Sequence, residues 1–342
     1  MDQPRFDVLG IGNAMVDVIV HSDDTFLSDN NLIKGAMSLV DADAAQALYS
    51  KSGSVVECSG GSAGNTISCL ASLGSNVAYV GKVYDDHLGH VFTHDIRSQG
   101  VYFETSPAVN GPPTATCLVF VTPDAERTMQ TFLGACIGLG PDDIVEADVA
   151  ASAVTYMEGY LWDPEDAKAA FLKAADIAHK SGHEVSLSLS DQFCVDRHRD
   201  EFQDLVSNHV DILFANEDEI ISLYQTETFD EALKVVRGQC KTVALTRGDK
   251  GSVIVHGGEI HIVVAEPGVK VLDTTGAGDA YAAGFLHGYA AGKDLPTSAR
   301  IGGICAAEVI SHVGARAQSN LKYLIAKKLA LNLITPLGQA NE

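Results

Sequence analysis

The sequence predicts an α/β fold: a mainly parallel sheet sandwiched by helices, with a small β-strand lid. Two observations lead there. From about residue 150 onward, short apolar runs alternate with helical patterns, as in a parallel sheet covered on both faces. Residues 13–40 and 110–133 instead carry strand-like runs with no helix between them. A few antiparallel strands there would form a flap able to close a site against water. No internal repeat or low-complexity segment divides the chain. Residues 1–342 are therefore expected to form one domain, with the lid strands inserted at about 13–40 and 110–133.

In chain order, "RFDVLGIG" (5–12) and "MVDVIV" (15–20) are β-rich runs separated by a turn. "SNVAYVGKV" (75–83), "TCLVFVT" (116–122), "AVTYMEGYLW" (153–162), "EVSLSLS" (184–190), "DILFAN" (211–216) and "TVALTRG" (242–248) are further strand candidates. "PEDAKAAFLKAADIAHKSG" (164–182) opens near a proline and closes on a glycine, the asymmetry that helices favour. Helical patterns follow at 196–206, 217–224 and 229–240.

A formal net charge of −22 has the wrong sign for nucleic acid or an anionic membrane surface. An anionic ligand would need a local site of backbone N–H groups, a few cations and a metal ion. Seven scattered cysteines without a C-x-x-C read as reduced thiols. The opening "MDQPRFDVLGIGN" has no basic segment leading into an apolar run, and no apolar stretch approaches a membrane span. A cytoplasmic protein, monomer or homodimer, is expected.

"DTTGAGDAYAAGF" (273–285) puts Asp279 directly after Gly276, Ala277 and Gly278, where a buried helix begins. A helix N-terminus offers unpaired N–H groups and partial positive charge, and glycines let the backbone approach a phosphate. Asp279 in the first turn, kept ionised by the helix terminus, could take a proton from a phosphoryl acceptor. The bland alternative is a threonine cap with the glycines serving packing, as Gly284 and Gly288 do by their helical spacing. There is no G-x-x-x-x-G-K-[ST], and "GIGNAM" (10–15) has Met15 where a dinucleotide fingerprint needs its third glycine.

A second cluster, "CSGGSAGN" (58–65), leads through Gly61, Ser62 and Asn65 into a helix of small residues. It could hydrogen-bond a polyhydroxylated ligand or simply cap the helix. Together the two clusters resemble the ribokinase-like sugar and nucleoside kinases, the phosphofructokinase B family. "NEDE" (216–219) is similar to the family's N-x-x-E and "TRGDKG" (246–251) to its nucleotide turn. The resemblance implies ATP and Mg²⁺, with Asp279 as the base and the backbone of Gly276, Ala277 and Gly278 as the anion hole. It implies that Asn216 and Glu219 organise Mg²⁺ through water, a pair equally natural as a helix cap. Thr246, Gly248 and Gly251 would line the ATP site, with Arg247 either beside it or merely exposed. Asp273 and the Thr275 carbonyl match positions that hold a monovalent cation such as K⁺. Asp273 could equally accept backbone N–H groups.

Within the family, "GNAMVD" (12–17) and the following segment resemble the opening of adenosine kinases. That likeness implies a nucleoside acceptor, adenosine, held at its sugar by Asn13, Asp17, Gly61, Ser62 and Asn65. Arg127 matches the family's substrate-side arginine, and Met37, Leu133, Tyr160 and Trp162 are candidate walls for the base. The alternatives are a kinase for a free sugar or keto-deoxy acid, and a non-catalytic nucleoside or nucleotide sensor. His87, His90 and His94 share helical spacing, as for a surface face or a three-histidine metal site.

Overall fold

The computed structural model describes residues 4–124 and 126–332. Its first half interleaves two sheets: β1 (Phe6–Ile11), β2 (Met15–His21), α1 (Asp24–Asp29), β3 (Met37–Leu39), α2 (Ala42–Lys51), β4 (Val55–Gly60), α3 (Ser62–Ser72), β5 (Val77–Val80), α4 (His87–Ser98), β6 (Ala115–Val121) and β7 (Arg127–Phe132). Then come α5 (Glu146–Ala150), β8 (Ser152–Glu158), α6 (Glu165–Lys180), β9 (Glu184–Ser188), α7 (Gln192–Asn208), β10 (Ile212–Asn216), α8 (Glu217–Tyr224), α9 (Phe229–Val236) and β11 (Thr242–Thr246). The chain continues through β12 (Ser252–His256), β13 (Glu259–Val263), α10 (Ala277–Ala290), α11 (Leu295–Val309) and α12 (Leu321–Asn332).

The large sheet has eight strands in the order β13-β12-β11-β10-β9-β8-β1-β5. From β5 to β11 neighbours run parallel, and the β12–β13 hairpin adds an antiparallel edge. Strands such as β10 and β11 are nearly continuous apolar runs because helices cover both faces. One core packs α3, α4, α10 and α11 against one face, and the other packs α6, α7, α8 and α9 against the opposite face. Gly284 and Gly288 serve close packing: a Cβ at 284 would lie 2.7 Å from Gly302 Cα, and one at 288 would lie 2.8 Å from Ser298 Oγ.

The second sheet has five strands in the order β3-β7-β6-β2-β4. Its Val16, Val18, Val20, Leu118 and Phe120 join the α3–α4 core. Two expectations need correcting here. Helix α1 interrupts residues 13–40, because Asp23 caps a first turn whose Leu27 is buried. Strand β4 also joins this sheet, although it lies outside the two expected lid stretches, and pairs antiparallel with β2. The sheet is mixed rather than antiparallel, since β2–β6 and β3–β7 run parallel.

Candidate active site

The carboxyl ends of the parallel strands converge with the N-termini of α3 and α10, the usual ligand position in an open α/β sheet. The α10 start is fixed by Gly276, which takes φ 76° as N-cap; a Cβ there would lie 2.7 Å from the Ala315 carbonyl oxygen. The N–H groups of Gly276, Gly278 and Asp279 have no partner among the described residues. Ala277, expected to share in an anion hole, instead donates its N–H to the Thr274 carbonyl at 3.1 Å.

Asp279 is half-buried in the first turn of α10. Its Oδ1 accepts from Ser62 Oγ at 2.6 Å and its Oδ2 from Asn65 Nδ2 at 3.3 Å. The two glycine clusters, more than 200 residues apart in the chain, thus meet at one carboxylate. Burial pushes the Asp279 carboxyl up to about 6, with the negative charge of Asp17 adding to it and the bonds from Ser62 and Asn65 opposing. Desolvation thus outweighs the helix terminus, yet a carboxyl near 6 is still mostly ionised at neutral pH. Burial likewise pushes Asp17 up to about 6, against the pull of Arg316 and Arg127.

Asn13 is only 2 % exposed, and its Nδ2 donates to Glu158 Oε1 at 2.7 Å. One N–H of its side-chain amide is thus engaged inside the protein. Glu158, 1 % exposed at the end of β8, also accepts from the Ala63 N–H at 2.7 Å through Oε2. It ties the β1–β2 turn to the first turn of α3, and burial raises its carboxyl to about 7. Sequence reasoning missed Glu158, although a carboxylate ending the apolar run "AVTYME" was a visible signal. It also missed Arg316, whose guanidinium bonds Ser59 Oγ at 2.7 Å, Asp95 Oδ2 at 3.1 Å and Asn65 Oδ1 at 3.4 Å. Arg316 lies in an irregular loop where no periodic pattern could single it out.

Gly61 precedes α3 at φ 87°, leaving no room for a side chain beside the Asn13 carbonyl. Arg127, expected on the substrate side, pairs its Nη1 with Asp273 Oδ2 at 2.9 Å, and its charge also acts on Asp17. Asp273 also accepts the N–H of Thr275 through Oδ1 and that of Gly314 through Oδ2, each at 2.9 Å. Its burial works against ionisation, but these two N–H groups and the Arg127 charge outweigh it and hold the carboxyl below the usual range.

On the other side, Asn216 and Glu219 realise the helix-cap alternative in full. Asn216 Nδ2 donates to Glu219 Oε1 at 2.6 Å, the Asn216 N–H donates to Oε2 at 2.9 Å, and the Glu219 N–H returns to Asn216 Oδ1 at 2.8 Å. Burial pushes Glu219 up to about 7, and the charges of Asp191 and Asp218 add to it. Asp191, which caps α7, was not expected at the site. Thr246 ends β11, and the turn after it closes by the Arg247 N–H donating to the Gly251 carbonyl at 2.8 Å, with Gly248 at φ 56° and Gly251 at φ 86°. Arg247 is not merely exposed: it forks onto Glu217 at 2.8 and 3.1 Å and stacks 3.8 Å above the Phe229 ring.

Of the candidate walls, Met37 and Tyr160 are exposed and Leu133 is half-buried. Trp162 is core instead, 4 % exposed, packed on Phe171 and Phe202 with its Nε1 donating to Glu201 at 2.6 Å. His87, His90 and His94 are all exposed, and no group of three metal-ligating side chains occurs among the described residues. All seven cysteines are free thiols. Among the described residues, no helix is long and apolar enough to cross a membrane.

The chain and its fold have known counterparts. The chain is 50 % identical to a probable sugar kinase of Rhizobium etli, with a TM-score of 0.88 over 96 % of this chain and 100 % of that one. It is 52 % identical to the adenosine kinase of Sinorhizobium meliloti, with a TM-score of 0.86 over 95 % and 99 % of the two chains. A 5-dehydro-2-deoxygluconokinase of Lacticaseibacillus casei is 29 % identical over 281 residues, covering 78 % of this chain and 85 % of that protein. The sequence pattern of the pfkB family of carbohydrate kinases matches residues 30–322. Family kinases generally use ATP with Mg²⁺. With the ribokinase-like fold and both glycine clusters in place, this chain belongs to the pfkB family of carbohydrate kinases and is a phosphotransferase of the sugar and nucleoside class.

Proposed function

We propose that the protein transfers the γ-phosphoryl group of ATP to the 5′-hydroxyl of a nucleoside, adenosine, giving AMP and ADP. The observation that carries this reading is the single carboxylate, Asp279, held by Ser62 and Asn65 at the start of α10. The half-identical adenosine kinase of S. meliloti supports the choice of acceptor.

In this mechanism Asp17 and Asn65 orient the ribose, with the Gly61–Ser62 turn behind them. The 5′-oxygen bonds to the γ-phosphorus as the bond from that phosphorus to the β–γ bridging oxygen breaks, and ADP leaves with the electron pair. Asp279 takes the hydroxyl proton as the oxygen bonds to phosphorus, when an aspartate is basic enough to receive it. The unpaired N–H groups of Gly276, Gly278 and Asp279 stabilise the transferring phosphoryl oxygens. Thr246, Gly248 and Gly251 form the edge against which the nucleotide lies. The second sheet acts as a lid excluding water, Met37 and Tyr160 being available to the base.

Glu219 would hold Mg²⁺ through water rather than directly: burial raises its carboxyl, the nearby charges of Asp191 and Asp218 add to that, and both its oxygens already accept from Asn216. When bound, the ion neutralises charge on the nucleotide phosphates. Asn216 keeps the Glu219 carboxylate aimed through its two hydrogen bonds.

A second reading, phosphorylation of a sugar or keto-deoxy acid, is favoured by the likeness to the L. casei 5-dehydro-2-deoxygluconokinase. Thermal melting separates the two. Adenosine is expected to raise the melting temperature in a concentration-dependent way, and ribose, fructose and keto-deoxy acids are not. A rise with a sugar alone would replace the nucleoside by that sugar.

A further inference from the structure

The resemblance to ribokinase-like enzymes leads one to expect a monovalent cation at Asp273 and the Thr275 carbonyl, and the residues present do not fit one. Three donors converge on the Asp273 carboxylate: the Thr275 N–H on Oδ1, and the Gly314 N–H with the Arg127 guanidinium on Oδ2, all at 2.9 Å. The Arg127 and Asp273 side chains are 8 % and 6 % exposed, so the pair is desolvated on both sides. An added cation there would face two N–H dipoles and a guanidinium across a poorly screened gap.

We infer that Arg127 takes the place of the monovalent cation, and that it is what keeps such an ion out. The guanidinium reaches across from β7 in the second sheet and neutralises the carboxylate that begins the Asp273–Gly278 loop. The Thr275 N–H on the same carboxylate then fixes the turn into Gly276, two residues before the unpaired Gly278 N–H. Loop order is thereby set by a side chain of the second sheet instead of a dissolved ion. Arg127 is a positioning residue in this account, and its buried Nε has no partner among the described residues.

The test is a melting titration in KCl at constant ionic strength, balanced with choline chloride, without nucleotide and again with saturating Mg²⁺ and a non-hydrolysable ATP analogue. The wild-type melting temperature is expected to be flat across the titration in both series. Arg127→Gln, which removes the guanidinium charge from the carboxylate, is expected to gain a saturable, K⁺-specific rise, and Arg127→Lys to stay flat. A saturable K⁺ response in the wild type, or a folded Arg127→Gln protein without one, would overturn the inference. The wild-type titration decides by itself if the glutamine variant does not fold. The nucleotide-free series does not rest on the proposed function, so failure of the analogue to bind would count against that function alone.

Discussion

Asp279→Asn is expected to lower turnover by at least a hundredfold, within the ~10²–10⁴ that a lost general base costs, while Mg²⁺-ATP still binds. Asparagine keeps the size of the side chain and one acceptor oxygen for Ser62 or Asn65, so the loss falls on proton transfer. Steady-state kinetics and calorimetric titration with a non-hydrolysable analogue separate the two effects. Retention of more than a hundredth of wild-type turnover would remove Asp279 from its role. The pH dependence carries the same signature. A carboxylate raised to about 6 is a competent base above that pH, so turnover falls as pH drops through about 6. An unshifted aspartate would hold its activity to about pH 4. Asp17 is raised to the same value, so the acid limb belongs to both carboxylates together.

The next largest effect is expected from Gly61→Ala. At φ 87° an added Cβ would come within 2.1 Å of the Asn13 carbonyl oxygen, a backbone atom that cannot rotate aside. Forcing a non-glycine residue into such a conformation costs about 1–3 kcal/mol, and relief of the clash must shift either α3 or the β1–β2 turn. Either shift moves Ser62 and Asn65 away from Asp279. Urea denaturation should show the lost stability, and kcat should fall with it. A variant of wild-type stability and activity would mean that the two segments have slack the structure does not show.

The parallel half of the fold was legible because each of β8 to β10 is a short, largely apolar run followed by a helix, and both faces of those strands are buried. Strand β4 was not, since "VVECSG" alternates only weakly and carries Glu57 in its middle. It becomes a strand through pairing with β2, a tertiary effect. The β12–β13 hairpin did carry a signal, Gly257-Gly258 between alternating runs, which an expectation of parallel repeats passes over. At the site, glycine-rich turns named Asp279, Ser62 and Asn65. The residues that hold them, Glu158 and Arg316, sit far off in sequence and were visible only once the chain was folded. Arg127 and Asp273 were both picked out, yet their pairing was not, because nothing in either local pattern points across 146 positions.

The most direct measurement is product formation from Mg²⁺-ATP with a panel of nucleosides, free sugars and keto-deoxy acids, following ADP release and identifying the phosphorylated product. The account predicts turnover with adenosine, giving 5′-AMP and ADP in equal amounts, and none with the sugars. Turnover confined to a sugar or keto-deoxy acid would contradict it.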